Sequence, residues 1–259
     1  MSDVTAPATL SGPDTTVAHV RELMGMPVSI HLRSAGDEAH RAGAIVERAY
    51  ARLAWIDRVF STYRPDSVVS RIGRGELALA DAASAVREVA ALCEAYEAET
   101  GGVFSAGFRR SEGVDWDPTG LVKGWAVAEA GRVLDGAEGC AWSVNAGGDV
   151  LVGGPEGLGV APWRIGIDDP AEPGRIVEVV ELARGAVCTS GTAARGAHLV
   201  DPATGRAPGA VGSVTVIGPD VVRADVWATA VFVGTPDLAS RLVDLDPAYR
   251  VVDQRVYFS

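Results

Sequence analysis

Asp117-Pro118-Thr119-Gly120-Leu121-Val122-Lys123-Gly124-Trp125-Ala126-Val127 is the stretch on which the reading of this chain turns. An Asp-Pro turn followed by a Thr and an apolar, alanine-containing run predicts a loop opening a helix over 120–134, closed by Gly136. On its N-terminal side the pattern is mostly helical. Ala42, Ile45, Val46, Ala49, Leu53, Ile56, Val59 and Phe60 predict a long amphipathic helix over 37–60. Ser67 is placed to cap a short helix over 68–72, and a further helix over 81–99 is stopped by Thr100-Gly101-Gly102. Beyond Gly136 the pattern changes to strands, over 141–144, 149–152, 163–167, 176–182, 186–189, 197–200 and 213–217. Helices follow over 221–232 and 237–245, then terminal strands over 249–252 and 256–258. Two strands, 17–21 and 28–32, precede everything, with Val103-Phe104-Ser105 a short extended piece. Without regular strand–helix–strand alternation the fold class is α+β, one domain with two lobes.

The same stretch holds Lys123, the one lysine; the other 22 of the 23 basic residues are arginines. One account is an arginine-rich composition with a lysine left on a helix surface. The other is a compact point charge for a phosphate or carbonyl, where an arginine fork does not fit. A loop entering a helix is a place where anions bind.

The chain has 259 residues, 47% of them apolar, and a formal net charge of −11. The acidity argues against nucleic acid and anionic membrane as partners, and obliges any site for an anion to supply its own positive potential. No apolar run is long enough to span a bilayer. Residues 1–16 are polar and read as a disordered tail, not a signal peptide, which predicts a cytoplasmic protein. Cys93, Cys140 and Cys188 are widely spaced and suggest neither a disulfide framework nor a zinc site.

Phosphate-loop and dinucleotide-binding glycine motifs are absent, and Gly102-Val103-Phe104-Ser105-Ala106-Gly107 is a poor nucleophile elbow. Asn145-Ala146-Gly147-Gly148-Asp149 is either a tight turn or backbone brought close to a ligand. His198, just before Asp201-Pro202-Ala203-Thr204-Gly205, is a strand histidine set among small polar residues and turns, suited to taking a proton. Asp225 and Thr229 project from one helix face, as suits a hard cation such as Mg²⁺, although taken alone a first-turn Asp and a packed Thr are the better account.

Together these segments resemble the FAD:protein FMN transferase family, the ApbE type, over nearly the whole chain. Met24-Gly25-Met26, Phe60-Ser61-Thr62-Tyr63-Arg64-Pro65-Asp66-Ser67, Thr100-Gly101-Gly102-Val103-Phe104 and Asp117 to Trp125 are similar to successive motifs of that family. So are Asn145 to Asp149, Thr189-Ser190-Gly191 with His198 to Gly205, and Ala224-Asp225 to Thr229-Ala230. The resemblance implies one T-fold-like domain over 17–259, with a mixed or antiparallel sheet, flanking helices and two lobes around a flavin-nucleotide cleft. It implies an enzyme that splits FAD, moves FMN to a threonine hydroxyl of an acceptor protein and releases AMP. Mg²⁺ would be held by Asp225, Thr229 and the main-chain oxygens of Gly120 and Ala228. Met24, Tyr63, Val103, Phe104, Ser105, Asp117, Lys123 and His198 would contact FAD. Lys123 and His198 would be catalytic, His198 as the base. Hydrolysis of FAD to FMN and AMP, or FAD storage without turnover, are the alternatives. The chain departs from the family at Ser105-Ala106, where Asp-Pro is common, at Trp125, where Tyr is usual, and at 192–194.

Overall fold

The N-terminal extended stretches pair antiparallel as β1 (Thr15–Leu23) and β2 (Met26–Ser34), with Leu23 opposite Met26. The first strand thus takes in Thr15 and Thr16, which the sequence reading assigned to the tail. Its register leaves Met24-Gly25 as a two-residue turn with φ of 53° and 70°, a conformation whose twist suits a hairpin. Met24 is the one non-glycine residue at positive φ among the described residues, a strain of roughly 1–2 kcal/mol. The structure is a computed structural model and describes residues 14–110, 113–192 and 208–257.

The long helix expected over 37–60 is two: α1 (Glu38–Arg41) and α2 (Gly43–Phe60). The backbone leaves helical geometry at Ala42 (φ −81°, ψ 10°), where the following glycine gives weak support. The third helix, α3 (Val68–Gly73), has the expected cap: Ser67 Oγ accepts the Ser70 amide at 3.0 Å. The next, α4 (Ser84–Thr100), starts later than expected because 79–81 form a separate 3₁₀ turn, and it ends at Gly101 in the left-handed region. Val103-Phe104-Ser105 is not a strand. A hairpin of β3 (Gly107–Arg110) and β4 (Gly113–Trp116) follows instead. Then comes α5 (Thr119–Leu134).

The second half runs β5 (Ala141–Ala146), β6 (Asp149–Gly153), β7 (Trp163–Asp168), β8 (Ile176–Leu182), β9 (Gly185–Gly191), β10 (Ala210–Val211), β11 (Ser213–Gly218), α6 (Val221–Val233), α7 (Asp237–Leu245), β12 (Arg250–Asp253) and β13 (Val256–Tyr257). The strand expected over 197–200 lies outside the described residues. The central sheet has the order β1-β2-β5-β6-β9-β11-β12. Every neighbouring pair in it is antiparallel, so of the two kinds of sheet expected the antiparallel one is present.

Alternation sorts each strand's side chains between the two faces. On one face Val28, Ile30, Leu32, Trp142, Val144, Ala186, Cys188, Val214 and Val216 join the core formed with α2, α5 and α6. On the other, Val150, Val152, Val187 and Ile217 are covered by the β7–β8 hairpin through Trp163, Ile165, Ile167 and Val180. Within the helical layer, Phe60 meets Trp125 edge-on at 5.5 Å, and Arg52 Nε reaches Glu129 at 2.7 Å. One core is continuous across the helices and the sheet face, so the two lobes expected from the sequence share it.

Candidate active site

Lys123 falls in the second turn of α5, on a helix that packs against both α6 and the sheet. Its ammonium lies between two carboxylates, at 3.0 Å from Asp225 Oδ1 and in direct contact with Asp149 Oδ2. Asp149 is fully buried and Asp225 nearly so, while the Lys123 side chain keeps 19% of its exposure.

Each carboxylate is also held by a backbone amide. Asp225 Oδ2 accepts from Gly124 N at 2.9 Å, and Asp149 Oδ1 accepts from Thr189 N at 3.0 Å. Asp149 is the first residue of β6, set on the helix-facing side by the two-residue turn Gly147-Gly148, whose φ values are 60° and 100°. The turn thus has the tight geometry that was one of the two accounts of Asn145 to Asp149, and Asn145 Oδ1 accepts the Gly148 amide at 3.0 Å.

Two buried carboxylates share one ammonium, so the centre carries an excess negative charge. Burial alone would pull Lys123 down, but Asp225 and Asp149 more than reverse this and hold it protonated above its ordinary range. Burial pushes Asp225 above the usual carboxylate range; Lys123 draws it down and Asp149 pushes it up again. Cys188, fully buried beside these groups, has its thiol pushed well up by burial and by the two carboxylates.

The contact between α5 and α6 depends on Gly124. A Cβ there would stand 3.0 Å from Asp225 Oδ2, 3.1 Å from its Cβ and 3.2 Å from the Val221 carbonyl oxygen. Gly124→Ala is therefore expected to force the helices apart and to lower stability by about 1–3 kcal/mol, measured by urea unfolding. An unchanged midpoint would show that α6 moves aside freely.

Asp225 and Thr229 lie one turn apart on α6, as expected from their spacing, and Thr229 Oγ1 lies 2.7 Å from Ser190 Oγ on β9. At the start of α5, Asp117 acts as a local cap: its Oδ1 accepts Thr119 N at 3.0 Å and Thr119 Oγ1 at 2.6 Å. Thr100 Oγ1 accepts the Phe104 amide at 3.1 Å, which fixes the Thr-Gly-Gly loop. The buried Phe104 ring lies over Gly120, where a Cβ would come within 3.3 Å of it. Val103 lies beside Gly234, just past the end of α6. Ser105 Oγ accepts the Gly107 amide at 3.1 Å, a bond that stays within its own loop.

Met24 and Tyr63 are not joined to Lys123 by any hydrogen bond or ion pair among the described residues. Met24 sits in the β1–β2 turn, and Tyr63 is 97% exposed in the loop after α2. His198 lies outside the described residues. The sequence reading did not assign Asp149, Gly124 and Ser190 to the site. The signal for Asp149 was its position opening a strand straight after two glycines.

The chain belongs to the ApbE family, whose model matches residues 24–110 and 106–252. Among curated proteins, the FAD:protein FMN transferase of Escherichia coli K12 is 31% identical over 131 residues, 47% of this chain and 37% of that protein. The enzyme of the same name from Rhodobacter capsulatus is 39% identical over 99 residues, 35% of this chain and 18% of that one. The matched parts thus span well under half of those relatives' lengths. Among solved structures, an ApbE protein from Thermotoga maritima superimposes with a TM-score of 0.77 at 22% identity, covering 92% of this chain and 93% of that one. The flavin transferase ApbE of Vibrio cholerae gives 0.72 at 20% identity, covering 95% and 98%. At these identities the superpositions establish the fold.

Proposed function

We propose that this protein is a Mg²⁺-dependent FAD:protein FMN transferase, which moves the FMN half of FAD to a threonine hydroxyl of an acceptor protein and releases AMP. The observation that carries the reading is the half-buried Lys123 held between Asp149 and Asp225, in a chain of the ApbE family similar to those named relatives. A centre with two carboxylates to one ammonium carries one negative charge in excess, and a divalent cation beside it would make it attractive to a pyrophosphate.

The candidate donors are all oxygens, as a hard cation requires. They are the Asp225 carboxylate, the Thr229 hydroxyl and the main-chain oxygens of Gly120 and Ala228. Two features support Gly120. The Gly124 amide, one turn on from the Gly120 carbonyl, donates to Asp225 Oδ2, which brings that carboxylate to the same turn of α5. Phe104 on Gly120 and Val103 beside Gly234 also bring the start of α5 toward the Thr229 end of α6. Bound Mg²⁺ would supply charge neutralisation at the pyrophosphate oxygens.

The chain's own groups do the rest by position and charge. Lys123 donates to a phosphate oxygen while Asp149 and Asp225 keep it protonated. His198 takes the proton of the acceptor hydroxyl as its oxygen attacks the FMN phosphorus, and the bond from that phosphorus to the AMP oxygen breaks. Val103, Phe104, Ser105, Asp117, Met24 and Tyr63 are assigned to FAD contact, with Lys123 and His198. A cytoplasmic setting is supported by three buried cysteines that are all free. No helix among the described residues is long and apolar enough to cross a membrane.

Incubation with FAD, Mg²⁺ and an acceptor domain carrying a target threonine is expected to add the mass of FMN to the acceptor and release AMP. Free FMN and AMP without an adduct would instead establish hydrolysis. Tight FAD binding with neither product would establish storage.

A further inference from the structure

We infer that Ser190 is a positioning residue for Thr229, fixing the direction of its hydroxyl proton so that a lone pair faces the cation. The inference rests on the oxygen-donor site proposed above. Ser190 is 8% exposed and sits on β9 with its side chain on the same sheet face as Cys188 and Ala186, the face covered by α6. Its Oγ is 2.7 Å from Thr229 Oγ1, the usual distance for a hydroxyl pair, in which either oxygen can donate.

A threonine hydroxyl has one proton and two lone pairs. In a helix its usual acceptor is the carbonyl oxygen one turn back, which for Thr229 belongs to Asp225. A proton sent there would hold the hydroxyl along the helix surface. Sent across to Ser190, it frees both lone pairs for other partners. With Thr229 as donor, the strand–helix hydrogen bond leaves its oxygen able to join Asp225 at one cation. Ligands set in this way depend on the groups behind them, and removing such a group weakens metal binding by about 10–100-fold. Ser190 also precedes Gly191 at the end of β9, so the strand that carries the segment containing His198 is tied to the metal-binding helix at this point.

The test is Mg²⁺ affinity, read by isothermal titration on protein free of FAD, with urea unfolding measured alongside. The variants are Ser190→Ala, Ser190→Thr, Thr229→Val and the double variant Ser190→Ala/Thr229→Val. Ser190→Ala is expected to bind Mg²⁺ about tenfold more weakly, and Ser190→Thr, which keeps the hydroxyl, to bind as the parent does. Thr229→Val should lose at least as much, and the double variant should lose no more than Thr229→Val alone. Parental affinity in Ser190→Ala would overturn the inference while leaving the metal site intact. So would a second loss in the double variant, together with a lowered urea midpoint, because Ser190 would then act on the fold and not through Thr229. Parental affinity in Thr229→Val would overturn the metal assignment itself, and the inference with it.

Discussion

Lys123→Met is expected to destabilise the metal-free protein by about 2–4 kcal/mol, and to lower kcat/KM for flavin transfer by roughly 10²–10³-fold. The stability loss follows from charge. Asp149 is fully buried and Asp225 2% exposed, with Lys123 between them. Removing the ammonium leaves two facing carboxylates without a countercharge, the circumstance in which a broken buried pair is most destabilising. Part of the loss is relieved because Asp225, already raised above the carboxylate range by burial, can take up a proton. Added Mg²⁺ should recover stability in the variant by more than in the parent, since the variant offers the cation two uncompensated carboxylates. Lys123→Arg should not rescue activity, because a planar fork cannot occupy the place of a point charge between two amide-held carboxylates. Urea unfolding with and without Mg²⁺ measures the first effect. A Lys123→Met protein as stable as the parent, and indifferent to Mg²⁺, would show that the excess charge is dissipated some other way.

The part of this arrangement that sequence makes visible is local. Ser67 ahead of an apolar turn, Gly101 after α4 and the spacing of Asp225 and Thr229 are signals written within a few residues, and the structure has all three. The change of pattern to strands after Gly136 was also legible, although β5, β6, β9 and β11 are buried on both faces and show little alternation. What stayed hidden depends on contacts between distant segments. Gly124 and Asp225 are 101 residues apart, and nothing near Gly124 shows that its missing side chain makes room for a carboxylate from another helix. Alternation can put Asp149 and Leu151 on one face of β6, but it cannot say that α5 brings a lysine to that face. The break at Ala42 was masked by an apolar spacing that runs through it unchanged, and backbone geometry alone reveals it. The β3–β4 hairpin was missed because each of its strands is only 4 residues long, too short for a pattern to stand out. The spacing drew notice to the Asp225–Thr229 pair and the family resemblance gave it a role, but Asp149 and Ser190 entered the site only through their contacts with Lys123 and Thr229.

Asp225→Asn should separate metal binding from folding, and in the opposite sense to the lysine variant. The amide is close in shape to the carboxylate and keeps an oxygen to accept the Gly124 N–H, so the α5–α6 contact has no new void, while the amide nitrogen now faces the Lys123 ammonium, which keeps Asp149 as its acceptor. The charge count also improves: Lys123 remains paired with Asp149 alone, one ammonium to one carboxylate. The better charge balance offsets the lost Lys123 contact, so stability of the metal-free variant should stay within about 1 kcal/mol of the parent. Mg²⁺ affinity should fall at least 100-fold, because the one charged donor of the proposed site is gone. Transfer of FMN should fall by a similar or larger factor, since Lys123 alone cannot neutralise the pyrophosphate. Titration of Mg²⁺ and urea unfolding on the same preparation decide between the outcomes. A variant that binds Mg²⁺ as the parent does would move the metal away from Asp225. One that unfolds early but still binds Mg²⁺ would make Asp225 a structural clamp between α5 and α6, with Gly124 its essential partner.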